Sequence, residues 1–69
     1  MDNLDAIIAY EQGELSPTAT LELFASLVQS GIAWTLQGHY GRTATALIAR
    51  GFLTRAGTIT AEGEAAVAA

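Results

Sequence analysis

The sequence predicts a mainly helical domain, a small α+β fold in which helices lead into a short C-terminal β-hairpin. Three observations carry this expectation. Apolar residues recur at helical spacing in successive stretches, each closed by a glycine. After Gly51 the period changes to two β-prone triplets, Phe52-Leu53-Thr54 and Thr58-Ile59-Thr60, placed around Arg55-Ala56-Gly57. The 69 residues leave room for one domain, residues 1–69.

Each element has its own local signal. Asp2 or Asn3 can cap a first helix, with Asp5 in its first turn and Leu4, Ile7, Ile8 and Glu11 at helical spacing up to Gly13. Ser16-Pro17 starts the second helix as an N-cap followed by proline at the first helical position. Leu21, Phe24 and Val28 form its stripe, Leu23 and Leu27 widen it, and Gly31 ends it in a left-handed cap. Ile32, Trp34 and Leu36 alternate like a strand. The run is so short that a single helical turn or a bend dropping Trp34 into the core is expected instead.

Gly38 and Gly41 bracket His39 and Tyr40, where they allow positive φ or a close backbone approach to Trp34 and Tyr40. In the helix that follows, Tyr40, Ala44, Leu47, Ile48 and Gly51 fall on one face; His39, Arg42, Thr43, Ala46, Ala49 and Arg50 fall on the other. Thr60 caps a closing helix from Ala61 to Ala68, with Glu62 and Glu64 near its positive end. On this reading the stretch Trp34 to Leu53 organises the chain. The expected core is Leu4, Ile7, Ile8, Leu21, Phe24, Leu27, Val28, Trp34, Leu36, Tyr40, Leu47, Ile48, Phe52 and Ile59. Losing Trp34 from such a core would cost about 3–5 kcal/mol.

Composition narrows the function. At 51% hydrophobic the chain is too apolar to be disordered, and without cysteine it has neither disulfides nor thiolate metal sites. A domain this small with surplus apolar surface commonly hides it against a partner or a copy of itself. No secretory pattern and no membrane-spanning apolar run is present, so a soluble cytoplasmic protein is expected. The net charge of −4 disfavours nonspecific nucleic-acid binding. The charges are also partitioned: no acidic residue occurs from Leu23 to Ala61, and Arg42, Arg50 and Arg55 all lie in that interval.

The residues expected of an enzyme are missing. His39 is the only histidine and has no nearby carboxylates to complete a zinc site. Ser16, Ser26 and Ser30 lack a histidine–acid relay, and Glu11 and Glu14 around Gly13 read as a solvated helix end. Gly38 and Gly41 lack the strand and the distal acid of a dinucleotide fingerprint, and no lysine exists for a P-loop. No catalytic residue, cofactor or metal is therefore expected.

Two resemblances bear on function. Helix, hairpin and helix over Tyr40 to Val67, with Ile59-Thr60-Ala61-Glu62-Gly63 after the turn, is similar to the back half of a winged-helix domain. Trp34, Leu36, Gln37, Gly38, Tyr40, Gly41, Arg42, Thr43 and Ala44 spell a W-x-L-Q-G-x-Y-G-R-T-A core preceded by the Ser30-Gly31 helix end. That core, within most of the chain, resembles a family of small bacteriophage-encoded proteins. The likeness implies a phage origin and residence in the host cytoplasm rather than an activity. The reading favoured is a non-enzymatic protein-interaction module, binding itself or an acidic host or phage protein through His39, Arg42, Thr43, Arg50 and Arg55. The alternative is a winged-helix or helix-turn-helix DNA binder using the same residues, with Arg55 in the wing. Nucleic acid is the less favoured partner and a membrane is not expected.

Overall fold

A computed structural model describes residues 4–36 and 38–68 and shows four α-helices. Helix α1 spans Leu4–Glu11, α2 Pro17–Ser30, α3 Gly38–Ala49 and α4 Ala61–Ala68; a 3₁₀ turn, Ile32–Trp34, lies between α2 and α3. The cap expected at Asp2 or Asn3 lies outside the described residues, as does Gln37.

The helix ends form where local chemistry places them. Ser16 Oγ accepts from Ala19 N at 3.1 Å and Pro17 occupies the first helical position, which satisfies an orphan amide and removes another. At the far end Gly31 takes φ 80°, and its N–H donates to Val28 O. Thr60 Oγ1 accepts from Gly63 N at 3.0 Å and caps α4. The same hydroxyl donates to Gly51 O, tying the start of α4 to the end of α3.

Helix α2 is the hub. Of the ten buried apolar residues among those described, six belong to it: Leu21, Leu23, Phe24, Ala25, Leu27 and Val28. They span an arc of about 200° around its axis, wider than the stripe of a helix covered on one side only. Helix α1, the 3₁₀ turn and α4 all pack on α2, and the 3₁₀ turn joins α2 to α3. Ala33, Tyr40, Ala44 and Leu53 complete the buried set. The Trp34–Leu53 stretch therefore decorates the organising element rather than being it.

The C-terminal β-hairpin is not formed. Among the described residues there is no strand, only an isolated antiparallel bridge between Leu53 and Ile59. Two hydrogen bonds frame it, Thr54 N to Thr58 O at 2.9 Å and Thr60 N to Phe52 O at 3.1 Å. The ladder cannot grow because both arms are already committed. Phe52 N donates backwards to Leu47 O, finishing α3, while Thr60 caps α4. The turn between them is anchored sideways: Gly57, buried with φ 88°, receives a bond from Gln29 Nε2 at 2.8 Å. A Cβ on Gly57 would lie 2.6 Å from Ala25 O and 2.8 Å from Gln29 N, so only glycine fits against α2. The winged-helix likeness falls with the hairpin.

The core also differs at three expected positions. Trp34, Leu4 and Ile8 are exposed, Trp34 by 51%. A 3₁₀ turn repeats every three residues, so Ala33 and Leu36 face inwards and Ile32 and Trp34 face out. Leu21, Phe24, Leu27, Val28 and Tyr40 are buried as expected, and Ile7, Leu36, Leu47, Ile48, Phe52 and Ile59 are partly buried against them. Gly38 and Gly41 have ordinary helical φ; close approach, not positive φ, is what they supply.

Candidate functional site

The exposed indole of Trp34 marks the site. Its ring rests against the first turns of α3, where Gly41 has no side chain: a Cβ there would sit 3.8 Å from Trp34 Cε3 and 3.7 Å from Ala33 O. On one side of Trp34 is an open trough of about 500 Å³, lined by Gly38, Gly41, Thr45, Ala46 and Ala49 and edged by Arg42. On the other side a hollow of about 310 Å³ is lined by Thr45, Ile48 and Arg55. An indole thus stands between two depressions, each carrying one guanidinium. Arg42 folds back along its helix, so that Nη1 lies 2.9 Å from where a Gly38 Cβ would be. Gly38 gives the arginine room to lie flat at the trough's edge.

Beside the trough, α1 is clasped to α3 by two consecutive residues from each. Tyr10 Oη is hydrogen-bonded to His39 Nε2 at 2.7 Å, and Tyr40 Oη donates to Glu11 Oε2 at 2.6 Å. The rings support these bonds. Tyr10 lies nearly parallel to His39 with centroids 5.7 Å apart and meets Phe24 edge-on at 5.4 Å. Phe24 and Tyr40 stack at 6.0 Å. Burial first, then the bond to Glu11 and its negative charge, push the Tyr40 hydroxyl up to about 12.

The residues expected to act together are distributed over four separate places. His39 is exposed but engaged in the clasp. Arg42 and Arg55 flank Trp34. Thr43 is half-buried and lines a separate apolar hollow of about 380 Å³ with Leu15, Pro17, Leu47, Phe52 and Val67. Arg50 is exposed just past α3, about 80° around the helix axis from Arg42. Sequence reasoning missed the small-residue face of Gly38, Gly41, Thr45, Ala46 and Ala49, and it missed Trp34 as a surface residue. The signal available was Ala33: a small residue beside Trp34, suited to the crowded inner side of a tight turn.

Among the described residues no group of three or more His, Cys, Asp or Glu is placed to hold a metal ion, and no helix is long and apolar enough to cross a membrane. What the fold and surface define is a small all-helical domain that presents an indole and a flat, side-chain-poor helix face to its surroundings. The chain belongs to the family described as a domain of unknown function, DUF7417, whose model matches residues 1–69. No curated protein and no solved structure matches it.

Proposed function

We propose that the protein is a non-enzymatic interaction module, and that the Trp34 trough is its binding face. The observation that carries this reading is a large aromatic side chain left 51% exposed in a chain that has a core to bury it in. Tryptophan and arginine are the residues most enriched among those that dominate binding energy at protein interfaces. Here Trp34 has Arg42 on one side and Arg55 on the other. The glycine and alanine face of α3 lets a partner backbone approach closely, and the two guanidinium groups favour a partner with carboxylates on its contact surface.

The likeness of the W-x-L-Q-G-x-Y-G-R-T-A core to small phage proteins supports a phage origin, with the host cytoplasm as the place of action. The winged-helix form of the DNA-binding alternative called for a wing that the Leu53–Ile59 bridge does not supply. Three arginines and no lysine also leave few phosphate contacts per chain.

The test compares immobilised wild-type chain with the Trp34→Ala/Arg42→Glu variant, both checked for native helical circular dichroism, against bacterial lysate. A protein retained by the wild type and lost on the variant is the expected result. Retention of the same proteins by both, or of nothing by a wild type that is also monomeric, overturns the reading.

A further inference from the structure

Resting on that reading, we propose that the occupant of the trough is helix α1 of a second copy of this chain, bound reciprocally so that two copies close on each other. The four exposed large apolar side chains of the described residues are Leu4, Ile8, Ile32 and Trp34. Two lie on α1, and of the two on the 3₁₀ turn Trp34 lines the trough, so α1 seated there would cover three of the four.

The shapes correspond. Leu4 and Ile8, one turn apart, form a narrow ridge on the eight-residue α1, which is about 12 Å long; α3, with twelve residues, offers about 18 Å. The absence of side chains beyond Cβ at Gly41, Ala46 and Ala49 makes a floor on which such a ridge can lie.

The charges correspond as well. On α1 the ridge is flanked by exposed Asp5 on one side and exposed Glu11 on the other, with no base on the helix. Around the trough, Arg42 and Arg55 are the charged residues that line it and its neighbouring hollow. An apolar ridge flanked by carboxylates meets an apolar trough edged by the Arg42 guanidinium, with that of Arg55 beyond Trp34. We pair Asp5 of one copy with Arg42 of the other.

The two surfaces also sit close enough for closure. The Tyr10–His39 and Glu11–Tyr40 bonds bring the end of α1 to the first turn of α3, the turn that carries Gly38, Gly41 and Arg42. Complementary patches that lie side by side allow one two-fold axis to satisfy both contacts at once, whereas head-to-tail pairing makes rings or open filaments.

The experiment measures molar mass by light scattering over a concentration series, with melting curves as the check on folding. The wild type is expected at twice its 7.2 kDa chain mass, dissociating as salt rises. Asp5→Arg alone and Arg42→Asp alone are each expected to be monomeric, because each creates two like-charge contacts in its own dimer. An equimolar mixture of the two is expected to recover the dimer, since each reversed residue then meets its opposite and the remaining wild-type pair is intact. Ile8→Ser, which leaves every charge in place, is expected to shift the midpoint of association upward by at least about tenfold.

A wild type that stays monomeric throughout, a dimer that survives both reversals, or a mixture that stays monomeric overturns the proposal. The outcome also separates this proposal from the broader reading. A monomeric wild type that still captures a lysate protein through Trp34 removes self-pairing and leaves the interaction module standing. A dimer that passes the charge test but captures nothing identifies the module's partner as itself.

Discussion

Replacing Trp34 by alanine distinguishes a core indole from a surface one by the size of the effect. A fully buried large aromatic removes about 150–250 Å² from water. Trp34 is 51% exposed, so about half of that area is covered in the folded chain. Half of the range, at about 25 cal/mol per Å², corresponds to about 2–3 kcal/mol. That is a ceiling, because the unfolded chain already shields part of the ring and the alanine methyl recovers some contact. No enclosed cavity is created, since the site opens directly to solvent. The expected loss is therefore about 1–2 kcal/mol, out of a total of about 3–10 kcal/mol for a domain of this length. At about 4–8 °C per kcal/mol the melting temperature should fall by about 5–15 °C. The assay is thermal unfolding followed by circular dichroism, at concentrations low enough to keep the chain monomeric. An unfolded variant, or a loss of 3–5 kcal/mol, would refute the outward placement of Trp34 and restore it to the core.

Further outcomes follow from other contacts. Gly63→Ala ordinarily improves a helix by about 1 kcal/mol, but here the new methyl would meet the Phe52 backbone, with its carbonyl carbon at 3.1 Å. Backbone cannot rotate away, so a net destabilisation of about 1–3 kcal/mol is expected in denaturant titration. Gly41→Ala should have the opposite sign, stabilising by up to about 1 kcal/mol, because its nearest atoms lie at ordinary contact distance. Tyr40 gives a pH signature. Its hydroxyl is raised from 10.0 to about 12, so the folded state keeps a proton that the unfolded state releases between those values. Stability is full below pH 10 and falls on the way to pH 12 by about 2 kcal/mol, and Tyr40→Phe should flatten that part of the profile. The same substitution removes the bond to Glu11 and should cost about 1 kcal/mol at neutral pH, measured by the same titration.

What was legible in the sequence is what local chemistry decides. Ser16, Pro17 and Gly31 delimit α2 through bonds that reach no further than four residues, and Thr60 starts α4 in the same way. The inner face of α3 follows from its period alone, and Tyr40 and Ala44 are buried where that period puts them. Contacts between distant segments were not legible. The turn at Gly57 looks like the tip of a hairpin until Gln29 and Ala25 of α2 are seen pressed against it. Alternation at Ile32, Trp34 and Leu36 suggested one shared side, whereas a three-residue period separates Leu36 from the other two. The arginines could be counted but not placed; Arg42 and Arg55 share a site because Trp34 stands between them.

The clasp between α1 and α3 has a consequence for how the molecule comes apart. Helix α1 contributes no buried residue, and eight residues are too few to hold a helix in water unaided. Its persistence depends on the partial packing of Ala6, Ile7 and Tyr10 against the core and on Tyr10 and Glu11 reaching His39 and Tyr40. Amide protons of α1 should therefore exchange with solvent well before those of α2, through an opening that hinges at Gly13 and leaves the remaining helices in place. Proteases would find the connection between α1 and α2 by the same excursion. If a second copy holds α1 from outside, that excursion becomes rarer as the protein is concentrated, and slower exchange in this one helix would report the encounter.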